Sequence, residues 1–193
     1  ASGPSVPAID IITGAVSAGA SDVVARLSLD VRAGGPCPSG PRPGIRFSGS
    51  GTGSLAQTGL LAGTTGYAVL HDGPAVPSAS LGVTNWRIID CLGVAIASGP
   101  WADVSLTEVV GCEAQGGVAE GLLGTLSPDG GMNVSGSLLM NNTVRGDLPG
   151  VQALVYGRLL QFNRNVLLGN ALVGGAPLIR AGYHFDGWNA LPS

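Results

Sequence analysis

The charged side chains in the second half of the chain are the first candidates for chemistry. A polysaccharide lyase needs an Arg or Lys base beside a carboxylate cluster that holds Ca²⁺, and a glycoside hydrolase needs two carboxyl groups about 5 to 10 Å apart. The chain contains no Lys. The side chains that are candidates for a ligand groove are Arg87, Trp101, Glu108, Glu113, Arg158 and Arg164. Their spacing follows no catalytic motif, so we predict no catalytic residue at these positions.

The two histidines are weaker candidates. His71 precedes Asp72, and His184 lies two residues before Asp186, so each resembles half of a His-Asp catalytic pair. No Gly-x-Ser-x-Gly nucleophile motif accompanies them, and we interpret both as turn residues. Two distant histidines and three scattered cysteines also do not form a metal-binding pattern, and we predict no metal or other cofactor.

Tryptophans are the residues most suited to stacking on sugars. Trp86 and Trp101 flank the first of the repeats described below, and Trp101 follows a Gly-Pro turn. A stacking platform is one interpretation, and a partly buried anchor for a loop is the favoured one.

Composition restricts the classes of partner. Charged residues make up 11% of the chain, against about a quarter in an average soluble domain. The net charge is −3 and no basic cluster occurs, so nucleic acid is not a predicted partner. Every apolar run is interrupted well before the roughly 20 residues that a membrane-spanning helix needs. We therefore predict no membrane span and a surface that is largely neutral.

Four segments of the second half can be superimposed as repeats. They begin at residues 88, 109, 139 and 162, so consecutive copies are 21, 30 and 23 residues apart. The first position is apolar in every copy, and the eighth is Gly or Ala. The fourth position is held in turn by Cys91, Cys112, Asn142 and Asn165.

This spacing predicts an all-β solenoid, a right-handed parallel β-helix with coils of about 22 residues. One coil cannot bury its apolar face alone, so equivalent side chains stack along the axis, and the fourth position forms a ladder of two thiols and two amides. The alternative is an antiparallel β-sandwich, which explains the many glycines but not the ladder.

Three regions are predicted. Residues 1–43 contain a strand over 23–31 and a Pro/Gly-rich loop, and act as a cap or linker. Residues 44–173 form the coils. Residues 174–193 contain an aromatic group that caps the last coil or docks on another subunit.

Two segments carry a resemblance to a known fold family. SLLMNNTVRGD (137–147) and LLQFNRNVLLGN (159–170) resemble repeats of the pectate-lyase-like right-handed parallel β-helix superfamily, in which an apolar strand leads into an Asn corner. That superfamily includes polysaccharide lyases and hydrolases, phage tailspikes, adhesins, and components of phage tails and contractile injection systems. The resemblance implies the fold and does not choose among these functions.

The favoured functional expectation is a non-enzymatic structural or surface-interaction module of an extracellular or phage-tail-like assembly. Its partners would be other protein subunits or copies of itself, and its location extracellular or particle-associated. The alternative is a carbohydrate-active enzyme or a carbohydrate-binding β-helix, with surface polysaccharide as the ligand.

Overall fold

The computed structural model describes residues 9–13, 21–25, 27–30, 43–56, 58–77, 79–114, 121–127, 130–147 and 153–186. These residues form strands and turns, with no helix among them. The strands, in chain order, are β1 (Ile9–Thr13), β2 (Ser21–Ala25), β3 (Ser28–Asp30), β4 (Ile45–Gly49), β5 (Thr52–Ala56), β6 (Gly59–Ala62), β7 (Thr65–His71), β8 (Ser80–Thr84), β9 (Trp86–Ile89), β10 (Leu92–Ser98), β11 (Trp101–Ser105), β12 (Glu108–Val110), β13 (Glu113–Ala114), β14 (Gly121–Thr125), β15 (Gly131–Ser135), β16 (Leu138–Met140), β17 (Thr143–Arg145), β18 (Ala153–Asn163), β19 (Val166–Leu168), β20 (Ala171–Val173) and β21 (Ile179–Asp186).

Most strands lie on three lateral faces of a coiled chain, and the short strands β13, β17 and β20 pair with one another beside them. Face A contains β1, β4, β7, β10, β14 and the first half of β18; face B contains β2, β5, β8, β11, β15 and the second half of β18. Face C contains β3, β6, β9, β12, β16 and β19. Each strand pairs in parallel with its equivalents in the neighbouring coils. The predicted all-β parallel β-helix is therefore confirmed, and the antiparallel sandwich is excluded.

Stacking of equivalent apolar side chains builds the core. On face C, the inward column consists of Leu61, Ile88, Val109, Leu139 and Leu167, all of them buried. Because side chains alternate in a strand, one residue of each three-residue strand points inward and its neighbours point outward. Each fully buried aliphatic side chain contributes about 1.5 to 3 kcal/mol.

The coils differ in length. The members of that inward column are residues 61, 88, 109, 139 and 167, which gives intervals of 27, 21, 30 and 28 residues. The shortest interval is close to the predicted coil of about 22 residues. Longer coils contain inserted turns, such as the segment between β7 and β8.

The sheets continue past both ends of the predicted coil region. The predicted strand over 23–31 is two strands, β2 and β3, which lie on faces B and C because the chain turns a corner between them. At the other end, β21 pairs with β18. Most of the predicted Pro/Gly loop, and the last seven residues of the predicted cap, lie outside the described residues.

The middle of face A, formed by most of β7, β10 and β14, is buried on both of its sides. Its inward residues include Val69 and Ile96, which belong to the main core. Its outward residues Tyr67, Leu70 and Val94 form a second buried cluster with Ala97. Solvent therefore meets the outward side chains of faces B and C, and those of β1 and β4 at the end of face A, where Ile12 is 81% exposed.

Candidate interaction surfaces

A first column of inward side chains stands at the corner that follows face C. We call it the first corner column; its members are Thr64, Cys91, Cys112, Asn142 and Asn170. The backbone N–H of Cys91 donates to the Sγ of Cys112, at 3.2 Å. The N–H of Cys112 donates to the Oδ1 of Asn142 at 3.0 Å, and the N–H of Asn142 donates to the Oδ1 of Asn170 at 3.1 Å. Each side chain thus satisfies a backbone donor of the preceding coil.

The asparagine amides complete these corners. The Nδ2 of Asn142 donates to the carbonyl of Val109 at 2.9 Å and to the Oδ1 of Asn170 at 3.0 Å. The Nδ2 of Asn170 donates to the carbonyl of Leu139 at 2.8 Å. These bonds connect one coil to the next in the buried corner, where an unpaired backbone group would be costly. The role of this column is structural.

Asn165 does not belong to the first corner column, which corrects the predicted ladder. It lies in a second corner column, at the other edge of face C, with Thr107 and Ser137. The N–H of Thr107 donates to the Oγ of Ser137 at 3.1 Å, and the N–H of Ser137 donates to the Oδ1 of Asn165 at 2.9 Å. The Nδ2 of Asn165 donates to the carbonyl of Val134 at 2.9 Å.

The fourth repeat is out of frame in the sequence alignment. Phe162 pairs with Val134 on face B, and it is Leu167 that pairs with Leu139. The predicted fourth repeat therefore begins at residue 162, five residues before the observed equivalent position, 167. An apolar strand leads into an Asn at both positions 165 and 170, so one repeat alone fits either frame. The constant spacing of five between the two columns, as in 107 and 112 or 137 and 142, was the signal that fixes the frame.

The two thiols of the first corner column are buried. Burial raises the pKa of the Cys91 thiol well above its ordinary value, and the neighbouring Cys112 raises it further. Cys91 and Cys112 are free cysteines. A protonated, inaccessible thiol is a poor nucleophile, so Cys91 acts in packing and hydrogen bonding.

The outward side chains of β6, β9, β12, β16 and β19 form a largely apolar surface, which we call the face C surface. One outward column runs through Leu60, Arg87, Glu108, Leu138 and Val166, and the other through Ile89, Val110, Met140 and Leu168. On β3, at the end of face C, the same columns continue with the exposed polar residues Ser28 and Asp30. Val166 and Leu168 are 43% and 45% exposed. Seven of the nine side chains of the face C surface are apolar, whereas an outward sheet face in water normally carries polar residues.

The two charged residues of the face C surface form an ion pair. Arg87 on β9 and Glu108 on β12 are in register, and the Nε of Arg87 lies 2.6 Å from a carboxylate oxygen of Glu108. Their side chains are 59% and 41% exposed. An exposed pair of this kind contributes little to stability, about 0 to 1 kcal/mol, so its position within an apolar surface is its informative feature.

Face B presents a contrasting, polar surface. Its outward residues include Ser54, Ser80, Thr84, Asp103, Asn133, Ser135 and Gln161. The Oδ1 of Asp103 accepts from Asn133 at 3.1 Å, and its Oδ2 accepts from the indole of Trp101 at 3.1 Å. The indole packs closely against Gly131, where an added Cβ would lie 2.3 Å from the ring. Trp101 is thus a half-buried residue within a hydrogen-bonded surface.

The six residues predicted to line a groove are placed on different parts of the solenoid. Arg87 and Glu108 are the ones brought together, on face C. Trp101 is on face B, in β11, and Arg158 lies in β18 between the half on face A and the half on face B. Glu113 is in β13, which pairs with the start of β10, and Arg164 is in the turn after β18, with a positive φ of 56°. These positions do not line a single groove.

His71 is a buried residue at the end of β7. Its Nε2 donates to the carbonyl of Gly51 at 2.9 Å, and its Nδ1 accepts from the N–H of Gly73 at 3.2 Å. The ring stacks on Phe47, with the centroids 6.3 Å apart. Burial lowers the pKa of His71. The neutral ring therefore fixes the turn after β7, although His71 itself is the last residue of that strand and not a turn residue. The side chain of His184 lies outside the described part of the structure.

The fold and these surfaces define the class of the protein: it is a parallel β-solenoid. No family model, no curated protein and no solved structure matches the chain. Among the described residues, no three His, Cys, Asp or Glu side chains are grouped so that they could hold a metal ion. Within the same part of the chain, no helix is long and apolar enough to cross a membrane.

Proposed function

We propose that this chain is a non-enzymatic interaction module of a larger protein assembly, of the phage-tail-like or other extracellular particle kind, and that it docks through the face C surface. The observation that carries the proposal is the apolar character of both outward columns of face C. A contiguous apolar surface on a sheet costs free energy in water and is stabilised when another protein covers it.

The contrast between the two solvent-facing surfaces supports this assignment. Face B has the same strand geometry and the same number of coils, yet its outward columns carry Ser, Thr, Asn, Asp and Gln. The apolar composition therefore distinguishes face C from face B. An interaction surface is expected to be confined in this way, because the remaining surface must keep the particle hydrated.

Site-specific photo-crosslinking in the cells that produce the protein tests the proposal. A photoreactive residue at Met140, on face C, is expected to give covalent adducts with protein subunits of one particle. The matched control is the same residue at Asn133, on face B of the same coil, which is expected to give few adducts. Equal adducts at the two positions, or none at Met140, would contradict docking through face C.

A second candidate function is binding of surface polysaccharide on face B. The specific observation is that Trp101 lies beside Asp103 and Asn133, within columns of hydrogen-bonding side chains. Aromatic rings and such groups together are suited to sugars. Retention on a panel of immobilised polysaccharides should then be lost in Trp101→Ala and kept in Met140→Lys; if the wild-type protein is not retained by any of them, this candidate fails.

A further inference from the structure

The face C surface carries a charge pattern that is complementary to itself. Arg87 and Glu108 are adjacent in one outward column, near its middle, with Leu60 on one side and Leu138 on the other. The second outward column is apolar at the same levels, with Ile89 and Val110. A partner surface must therefore offer one positive and one negative group at the centre, surrounded by apolar side chains.

From this pattern we infer that the partner is a second copy of this chain, packed face C to face C with the two solenoid axes antiparallel. The inference rests on the proposed function, in which face C is the docking surface. A twofold axis along the strand direction, between β9 and β12, places β9 of one copy opposite β12 of the other. Arg87 then lies opposite Glu108 of the second copy, and the reverse contact forms by symmetry.

The same axis matches the apolar side chains. Each outward column meets the equivalent column of the second copy in reverse order, so Leu60 lies opposite Leu138 and Ile89 lies opposite Val110. Over the four central strands, apolar groups meet apolar groups, and each charge meets the opposite charge. At the two ends of the contact, Val166 and Leu168 of β19 lie opposite Ser28 and Asp30 of β3. The isologous contact is therefore complementary over its centre.

Other ways of pairing the two faces lack this match. With the solenoid axes parallel, the two outward columns exchange, and Arg87 lies opposite Ile89 of the second copy. A shift by one coil along the axis likewise separates the charges from their opposites. Both alternatives desolvate a charge without a new partner, which costs free energy.

The size of the surface sets the expected strength. Its five strands, β6, β9, β12, β16 and β19, about 4.8 Å apart and about three residues long, span a flat area of roughly 10 Å by 25 Å. A stable interface of standard size buries about 800 Å² on each partner, so this contact should give a weak, reversible dimer. We expect it at protein concentrations of about 10 to 100 µM.

Sedimentation velocity over that range tests the inference. The wild-type chain should show a reversible monomer–dimer equilibrium. Arg87→Glu alone and Glu108→Arg alone place like charges opposite each other in the dimer, and each should weaken it at least tenfold. An equimolar mixture of these two variants should restore dimer formation, because each charge again meets its opposite.

The double variant Arg87→Glu/Glu108→Arg is the matched control. It restores both the ion pair within each chain and the contact between chains, so it should dimerise like the wild type. Circular dichroism and the midpoint of thermal unfolding show that each variant is folded. A wild-type chain that stays monomeric at 100 µM, single variants that dimerise as tightly as wild type, or a mixture that stays monomeric would each overturn the inference.

The outcome is separable from that of the proposed function. A monomeric wild-type chain with adducts from Met140 to a different protein would remove the second copy as partner and keep face C as the docking surface. A monomeric chain without adducts from Met140 would remove both.

Discussion

At the scale of single residues, Asn142 is the fully buried asparagine of the first corner column. Asn142→Ala removes the acceptor of the Cys112 N–H and the donor to the Val109 carbonyl, and both groups remain buried. An unsatisfied buried backbone group costs about 1 to 3 kcal/mol, so we expect a loss of about 2 to 4 kcal/mol in the free energy of unfolding. Urea denaturation measures it.

The matched control for Asn142 is Asn133→Ala on the surface of face B. Asn133 is half-buried, and its amide donates a hydrogen bond to the exposed carboxylate of Asp103. Water can therefore replace the amide as the hydrogen-bond donor when Asn133 is removed. This change should cost less than about 1 kcal/mol. A similar loss of unfolding free energy for both variants would show that the hydrogen bonds of the first corner column do not stabilise the chain more than a surface hydrogen bond does.

The stability of the turn after β7 should depend on pH through His71. Burial lowers the pKa of His71 in the folded chain relative to its ordinary value of about 6.5, so the unfolded chain takes up a proton first. Stability is therefore fully present above about pH 6.5 and decreases as the pH falls below it. The adjacent Asp72, which forms an ion pair with Arg46, favours the protonated ring and opposes the effect without reversing it.

Thermal unfolding between pH 5 and 7.5 measures this dependence. His71→Gln cannot take up the proton, and it should therefore show a flatter profile over that range, at a lower stability at pH 7.5. His184 is present in both proteins, so its contribution cancels. Parallel profiles for the two proteins would contradict the assignment of this pH dependence to His71.

At the scale of strands, the contact between β7 and β10 depends on a glycine. Gly93 has a φ of +122°, and an added Cβ would lie 2.5 Å from the carbonyl oxygen of Gly66 in the neighbouring strand. We expect Gly93→Ala to destabilise the chain by ~2 kcal/mol or more, because backbone cannot move aside as a flexible side chain can. Gly82→Ala in β8, with only a distant contact of 3.5 Å, should be nearly neutral in the same denaturation experiment.

The strands also show how far sequence alone predicts this fold. The stacking of the core was predictable because Ile88, Val109 and Leu139 recur in register and each precedes a small corner residue, a Cys or an Asn, by three positions. The frame of the last repeat could not be predicted from the sequence, because Asn165 and Asn170 both follow apolar strands. The face C surface could not be recognised from the sequence, because the outward Leu138 and Met140 flank the buried Leu139. In such an apolar run, polar and apolar residues do not alternate, so the sequence does not show which side chains point outward.

The predicted groove failed for a related reason. The sequence position of a residue shows which face it lies on only when the residues that form the corners of the coil are known. Trp101 and Glu108 are seven residues apart in sequence, yet they lie on faces B and C because the corner at Leu106 and Thr107 lies between them. Proximity in sequence therefore predicts a shared site poorly in a solenoid.

At the scale of the whole molecule, the register predicts that one coil can be removed as a unit. Val110 pairs with Met140, so deletion of residues 111–140 joins Val110 to Asn141 at equivalent points of adjacent coils. In the shortened chain, β18 pairs with β10 and β11, because β14 and β15 are removed. The side chain of Asn142 then takes the place of Cys112 as the acceptor of the Cys91 N–H. Because each coil contacts mainly its neighbours, the shortened solenoid should fold, with lower stability.

Deletion of residues 111–135 is the control for this prediction. It removes fewer residues, yet it joins Val110 to Gly136, which is not the equivalent point of a coil, so residues 136–140 duplicate the preceding face C strand and must either displace β12 or leave the coil. Circular dichroism and denaturation should show a cooperative β-sheet fold for both deletions, with a lower midpoint of unfolding for the second. If both deletions unfold alike, the coil is not the unit of folding, and stability depends on contacts that span several coils.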